Sequence, residues 1–297
     1  MTSTWQDPNP SAPDARTNPA LIIAGVGLTL VVVVALVTVV VLHRGDDGRP
    51  PHDTASLLAT NVEGPQTFTP SAVAILTPEE FGLGSGSSQT RQLPIAAERG
   101  VRLAQGTQPG LYGGYGQAYA CDASAVANHL DTHPDTAAAW ADVIGITPND
   151  VPQYLNTLTP VVLTADTWVT SHRFVDGHSE ATQTVLQSGT NVMIDPIGVP
   201  RVHCASGAPL VPPANVDLTE LDLDGDRWPA FDTRNVVAIA YSDAAGRPAP
   251  VDEFSLVDIT SGQPFTQRAG GTIDLGPEPP AMWDPVAMNV PPIRSRR

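Results

Sequence analysis

Residues 20–42 read ALIIAGVGLTLVVVVALVTVVVL, an apolar run with no charge and only Thr29 and Thr38 as polar positions. At the helical rise such a run spans about 34 Å, enough to cross a hydrocarbon core of about 30 Å. A buried core helix would carry a polar face, and this run has none. A cleaved signal peptide has a shorter apolar region and a small-residue cleavage site. His43-Arg44-Gly45-Asp46-Asp47 offers no such site. The pattern predicts a single transmembrane helix over 20–42, preceded by a short cytoplasmic tail, 1–19.

After this run the pattern changes twice. Residues 43–65 are rich in Asp, Arg, Pro and Gly and predict a linker. Three short helices are then expected. Asp122 caps the first, with Ala125, Val126 and Leu130 on one face. Pro134 opens the second, which carries Trp140 and Ile144 and stops at Gly145. The third runs from Asp150 to Pro160 with Tyr154, Leu155 and Leu158. The period then becomes two, and strands are predicted at 161–163, 167–171, 183–187, 191–195, 199–204, 218–224, 236–241 and 254–258. Asp195-Pro196-Ile197-Gly198 makes a hairpin turn. Helices first and strands afterwards predict an α+β fold: a helical hairpin packed on a mostly antiparallel sheet, behind the single transmembrane helix. Residues 66–213 form its α+β domain, 214–275 a β-rich extension of that domain, and 276–297 a proline-rich tail.

Composition narrows the function classes. The chain carries 31 acidic and 15 basic residues, a formal charge of −16, and every basic residue is arginine. The arginines do not cluster, so nucleic-acid binding is not expected. Two cysteines exclude a Cys₄ zinc site and an iron–sulfur cluster. Cys121 and Cys204 both follow the apolar run, and an even pair without metal-ligand spacing suits one disulfide in an oxidising compartment. Charges flanking the span are nearly balanced, so the cysteines decide the orientation: N-terminus inside, residues 43–297 outside. A Cys121–Cys204 bridge would staple the helices to the sheet.

Several blocks occur in a familiar order. They include Leu111-Tyr112-Gly113-Gly114, Cys121, Ala138-Ala139-Trp140-Ala141 and Leu158-Thr159-Pro160-Val161-Val162-Leu163. Asp166-Thr167, Val169-Thr170, His172, Val185-Leu186-Gln187 and Gly189 follow, and then Gly198-Val199-Pro200-Arg201-Val202 and Cys204. Together these resemble an actinobacterial family of extracytoplasmic, membrane-anchored domains of unknown function, over roughly residues 66–213 and more weakly to about 275. Where that family usually has Cys-x-Cys-Gly-Asn-Pro-Leu, this chain has Cys204-Ala205-Ser206-Gly207-Ala208-Pro209-Leu210. The missing second cysteine argues against a thiolate metal site. The resemblance implies a cell-envelope location and brings no activity; lysine-free composition fits a high-GC actinobacterium.

Four constellations are candidates for chemistry. His129 and His133 share a helix face, but Leu130 stands where a zinc hydrolase has its glutamate. His172 with Asp166 and Asp176 forms two-thirds of a hydrolase triad and lacks a nucleophile in a Gly-x-Ser-x-Gly elbow. Asp222, Asp224 and Asp226 are calcium candidates, although the glycine of an EF-hand loop is misplaced and an ordinary solvated strand face explains them equally. The loop 110–119 (GLYGGYGQAY) carries Tyr112, Tyr115 and Tyr119, which serve either recognition or packing over the helices. The sequence therefore predicts a non-enzymatic, single-pass extracytoplasmic module that binds or senses an envelope ligand or protein. Its ligand surface would involve the three tyrosines, His172 and Asp176, and no cofactor is expected unless calcium binds. The alternatives are an envelope hydrolase using His172 with nearby carboxylates, and a calcium-dependent structural module.

Overall fold

The computed structural model describes residues 54–75, 92–240 and 250–275. The chain divides into two units, Met1–Arg49 and Pro50–Arg297, and every described residue belongs to the second. The apolar run 20–42, residues 43–53 of the expected linker and the proline-rich tail lie outside the described residues.

The helices form where local signals placed them. α1 (Ala123–Thr132) begins at Asp122, whose carboxylate accepts the Ala125 N–H at 3.0 Å, and it buries Val126 and Leu130. α2 (Pro134–Ile144) has its proline in the first turn and ends at Gly145, in the left-handed region at φ 81°. Its Trp140 is fully buried and donates its indole N–H to the Gly207 carbonyl at 3.0 Å. α3 (Val151–Asn156) buries Val151, Tyr154 and Leu155 but ends before Leu158, and Pro160, expected to stop it, lies inside the strand Thr159–Leu163.

The strands are β1 (Thr54–Leu58), β2 (Ile95–Ala96), β3 (Val101–Gln105), β4 (Tyr112–Gly114), β5 (Thr159–Leu163), β6 (Thr167–Val175) and β7 (His178–Leu186). Then come β8 (Asn191–Ile194), β9 (Pro200–His203), β10 (Ala208–Val211), β11 (Asp222–Asp224), β12 (Val237–Ala240), β13 (Glu253–Asp258) and β14 (Pro264–Arg268). They pair in the order β11-β1-β7-β6-β10-β9-β8-β5-β4-β13-β14, with β12, β3 and β2 branching from the start of β6. β10 joins the halves, pairing Leu210 with Ser171 of β6 and Pro209 with Val202 of β9. One apolar core runs from the helices to the β4–β10 half of the sheet. A second gathers Ala55, Leu57, Val101, Trp168, Val185, Leu218 and Val236.

This architecture corrects the α+β expectation. The sheet is mixed: β1 runs parallel to β7 and β11, β12 parallel to β3 and β6, and β13 parallel to β4. Those partners are far apart in sequence, whereas period-two patterning and tight turns report only neighbouring hairpins. The three helices are short, and no helix among the described residues is long and apolar enough to cross a membrane. β1 is a second correction. It lies within the expected linker 43–65, yet it sits between β7 and β11 with Ala55 and Leu57 buried. The β-rich extension supplies β12 and β13 as inserted parallel strands. Of the strand expected at 218–224, the first part is a 3₁₀ turn capped by Asp217, whose carboxylate accepts the Thr219 N–H.

The turn between β8 and β9 is the tightest joint. Asp195 accepts the N–H groups of Ile197 and Val199 and the Arg201 Nε–H at 2.8 Å, a buried ion pair that fixes the turn from within. Tyr112 donates its hydroxyl to the Gly198 carbonyl at 2.6 Å. Gly198 adopts φ 82°, and a Cβ there would fall 2.0 Å from the Gly106 carbonyl oxygen. Gly198→Ala is expected to lower the unfolding free energy by about 3 kcal/mol, from strain plus overpacking. Urea titration measures it; a loss well under 1 kcal/mol would mean that the two backbones part freely.

Candidate functional site

An open cleft of about 380 Å³ lies over the face shared by β11, β1, β7 and β6. Register explains its chemistry. Ser56 of β1 sits between Asp224 of β11 and Thr184 of β7, and Thr182 of β7 opposes Ser171 of β6. Alternation sends Ala55 and Leu57 to the second core and leaves Ser56 partly exposed. The face is therefore covered with hydroxyls rather than apolar groups.

One wall is the segment following β1. Thr60 donates its N–H to the Gln187 side chain and its hydroxyl to the Ser188 carbonyl. The Asn61 side chain accepts the Asn191 N–H. Gly64 and Gln66 both take positive φ, which turns the chain back over the cleft. The Gln66 carbonyl then accepts the Phe174 N–H at 2.9 Å, fastening the wall to β6. The β9–β10 turn closes the far end with His203 and Ser206. The Ser206 carbonyl accepts the N–H groups of Phe68 and Thr69 at 2.9 and 3.0 Å.

Two imidazoles border the cleft. His172 Nδ1 lies 3.0 Å from the Pro209 carbonyl. A carbonyl can only accept, so Nδ1 carries the proton and Nε2 keeps its lone pair. Burial lowers the pKa of His172, with the Pro209 bond opposing, so the ring is neutral at physiological pH. His203 is almost completely buried, with Nδ1 2.9 Å from Ser206 Oγ and Nε2 without a partner among the described residues. Burial pushes its pKa down to about 4.

Both shifts lie below the ordinary value of 6.5, so the unfolded chain binds more protons than the folded one below that pH. The stability they contribute is complete above pH 6.5 and is lost as pH falls toward 4. His203 alone accounts for roughly 3 kcal/mol across that window. Urea titrations at pH 7 and pH 4.5 should show the loss, and His203→Gln should flatten much of it. An unchanged pH slope in that variant would contradict the assignment.

The other sequence candidates separate. Asp176 is exposed in the β6–β7 turn at φ 47°, and His172 bonds a backbone carbonyl instead of a carboxylate. Asp166 is buried elsewhere, accepting the Ser188 N–H and the Trp228 indole N–H. Among the described residues, therefore, no Ser–His–Asp array forms around His172. Tyr112 is buried with its hydroxyl on Gly198, and burial raises its pKa. Tyr115 packs beside Ala120, Val162 and Ile259, while Tyr119 stays 43% exposed. Asp224 borders the cleft and Asp222 a second, separate cavity of about 440 Å³. Asp226 is exposed. Among the described residues no group of three His, Cys, Asp or Glu side chains could hold a metal ion. His129 and His133 stack on each other, centroids 3.9 Å apart, with His133 Nδ1 2.8 Å from the His129 carbonyl. Cys121 and Cys204 are joined in a disulfide with Cα atoms 5.9 Å apart, as their number and placement predict.

A family model described as a domain of unknown function (DUF6777) matches residues 102–270, more than half of the chain. The chain belongs to the DUF6777 family. No curated protein and no solved structure matches it. The DUF6777 match includes β6, β7 and the β9–β10 turn, but the cleft also uses Thr54, Ser56 and Gln66, which precede it. Sequence patterning picked out His172 and, as a calcium candidate, Asp224 from this site. Ser56 lay inside the stretch read as a linker, and His203 and Ser206 lay beside a cysteine already given a structural role. The period-two alternation of Thr54, Ala55, Ser56 and Leu57 was the available signal, too short to separate from a polar linker.

Proposed function

We propose that this DUF6777 domain is an extracytoplasmic binding or sensing module of an actinobacterial cell envelope, non-enzymatic, with its ligand in the cleft over β1, β6 and β7. The observation that carries the reading is the preformed cleft itself. Its volume falls within the usual range for small-molecule sites, and the register gathers the hydroxyl-bearing residues Ser56, Ser171, Thr182 and Thr184 on the one sheet face that it covers. The buried Cys121–Cys204 disulfide supports an oxidising compartment, and the apolar run 20–42 supports tethering to the membrane. The bond from His172 Nδ1 to a backbone carbonyl, the position a carboxylate takes in a hydrolase triad, favours binding over hydrolysis.

The test is a ligand-observed NMR screen of small polar fragments against the full-length chain in detergent, repeated with Ser56→Phe. That substitution places a ring in the cleft from the open side of β1. Fragments bound by the wild type should lose their signal in the variant. A fragment set bound equally by both proteins, or by neither, would overturn the cleft as the ligand site.

A further inference from the structure

We infer that the cleft takes a neutral polyhydroxylated ligand, a saccharide unit held by hydrogen bonds instead of ring stacking. The inference rests on the reading of the cleft as the binding site and names what would fill it.

Charge comes first. The lining contains two carboxylates, Glu63 and Asp224, against one guanidinium, Arg173. Arg173 already donates to Glu180 at 3.0 Å. With both histidines neutral, an anionic ligand such as a phosphate would meet more negative than positive charge. Hydrophobic ligands fare no better, since Leu57, Leu58 and Pro65 are the only large apolar residues among the lining residues. Among the described residues no Phe, Tyr or Trp lines the cleft either, so these supply no stacking platform for a nucleobase.

What remains is a dense set of groups that both donate and accept. Ser56, Ser171, Thr182 and Thr184 bring hydroxyls from three adjacent strands. Ser56, Ser171 and Thr182 can each give and receive a hydrogen bond at once, as each hydroxyl of a sugar can, while the buried Thr184 hydroxyl already donates to the Thr182 carbonyl. His172 borders the cleft with its Nδ1 proton committed to Pro209. His203 borders the same cleft with Nε2 unpaired among the described residues while nearly all of the side chain is buried. A buried imidazole nitrogen without a partner is unfavourable, and ligand or ligand-borne water that reached it would remove that penalty. Hydroxyls across a sheet at strand spacing match a ring carrying hydroxyls along its edge.

The test uses the full-length chain in detergent, with maltose and cellobiose as neutral probes, glucosamine as a cationic probe and inorganic phosphate as an anionic one. Saturation-transfer NMR and calorimetry read binding to the wild type, Ser56→Ala and Thr182→Ala. Unchanged thermal midpoints and near-ultraviolet circular dichroism establish that the variants are folded. The expected result is binding of a neutral disaccharide, weakened about fivefold to tenfold in each variant, with no phosphate bound in the cleft. Disaccharide binding indifferent to both substitutions would overturn the proposal. If polar fragments occupy the cleft and are lost in Ser56→Phe, but only phosphate or glucosamine binds among these probes, the saccharide assignment fails while the binding-module reading stands. If neither fragments nor sugars bind there, both fall.

Discussion

Beginning the chain at residue 66 instead of residue 50 should abolish cooperative folding. β1 lies within the sheet, pairing with β7 through Ala55–Leu58 and with β11 through Thr54–Ser56. β11 has no other strand partner among the described residues, so losing β1 releases it as well. Burial of Leu57 contributes about 2 kcal/mol, and each ladder hydrogen bond about 1 kcal/mol. Together these approach the whole net stability of a domain, about 5–15 kcal/mol. The Asn61 and Thr60 bonds to Asn191, Gln187 and Ser188 disappear too. Circular dichroism during urea titration should show a sigmoidal transition for residues 50–297 and none for 66–297. Equal midpoints would mean that β1 is an ornament on the sheet, and the cleft would lose its floor.

Replacing both Cys121 and Cys204 by alanine should lower stability by roughly 4–5 kcal/mol and the thermal midpoint by about 10 °C. The bond closes an 83-residue separation, and its loss returns that loop's entropy to the unfolded chain. Its position sharpens the expectation. Cys121 precedes the Asp122 cap of α1, and Cys204 lies in the turn that carries His203 and Ser206. Backbone bonds enclose it: Ala72 donates to the Cys204 carbonyl, and Asp122 donates to the Ala72 carbonyl, each at 2.8 Å. Both cysteines are buried, so reductant acts on the unfolded chain and lowers the midpoint only as unfolding proceeds. Differential scanning calorimetry of the double variant against the wild type measures the effect. A shift of only a degree or two would contradict the staple.

These two results mark what the sequence makes legible. Helix signals are local, so Asp122, Pro134 and Gly145 sit where caps and stops were expected. Hairpin turns are local too, and the Asp195–Gly198 turn follows from four consecutive residues. The cysteine pair was legible by count. Parallel pairing was not, because β1 meets β7 and β4 meets β13 across long stretches of chain. β1 was hidden by its surroundings, five residues with two small ones beside Asp, Arg and Pro. The same obstacle hid the site. His172 attracted notice for nearby carboxylates, but its partner is the Pro209 carbonyl, brought alongside by the β6–β10 pairing. Tyr112, read as a ligand contact or a packing residue, spends its hydroxyl on Gly198.

The central claim is that this protein meets its ligand over β1, β6 and β7. Hydrogen–deuterium exchange of the full-length chain, free and bound to isolated envelope saccharide, tests it most directly. Protection concentrated in residues 59–66, 171–173 and 203–206 is the predicted result. Protection confined to the tyrosine-bearing loop 110–119, or none anywhere, would contradict it.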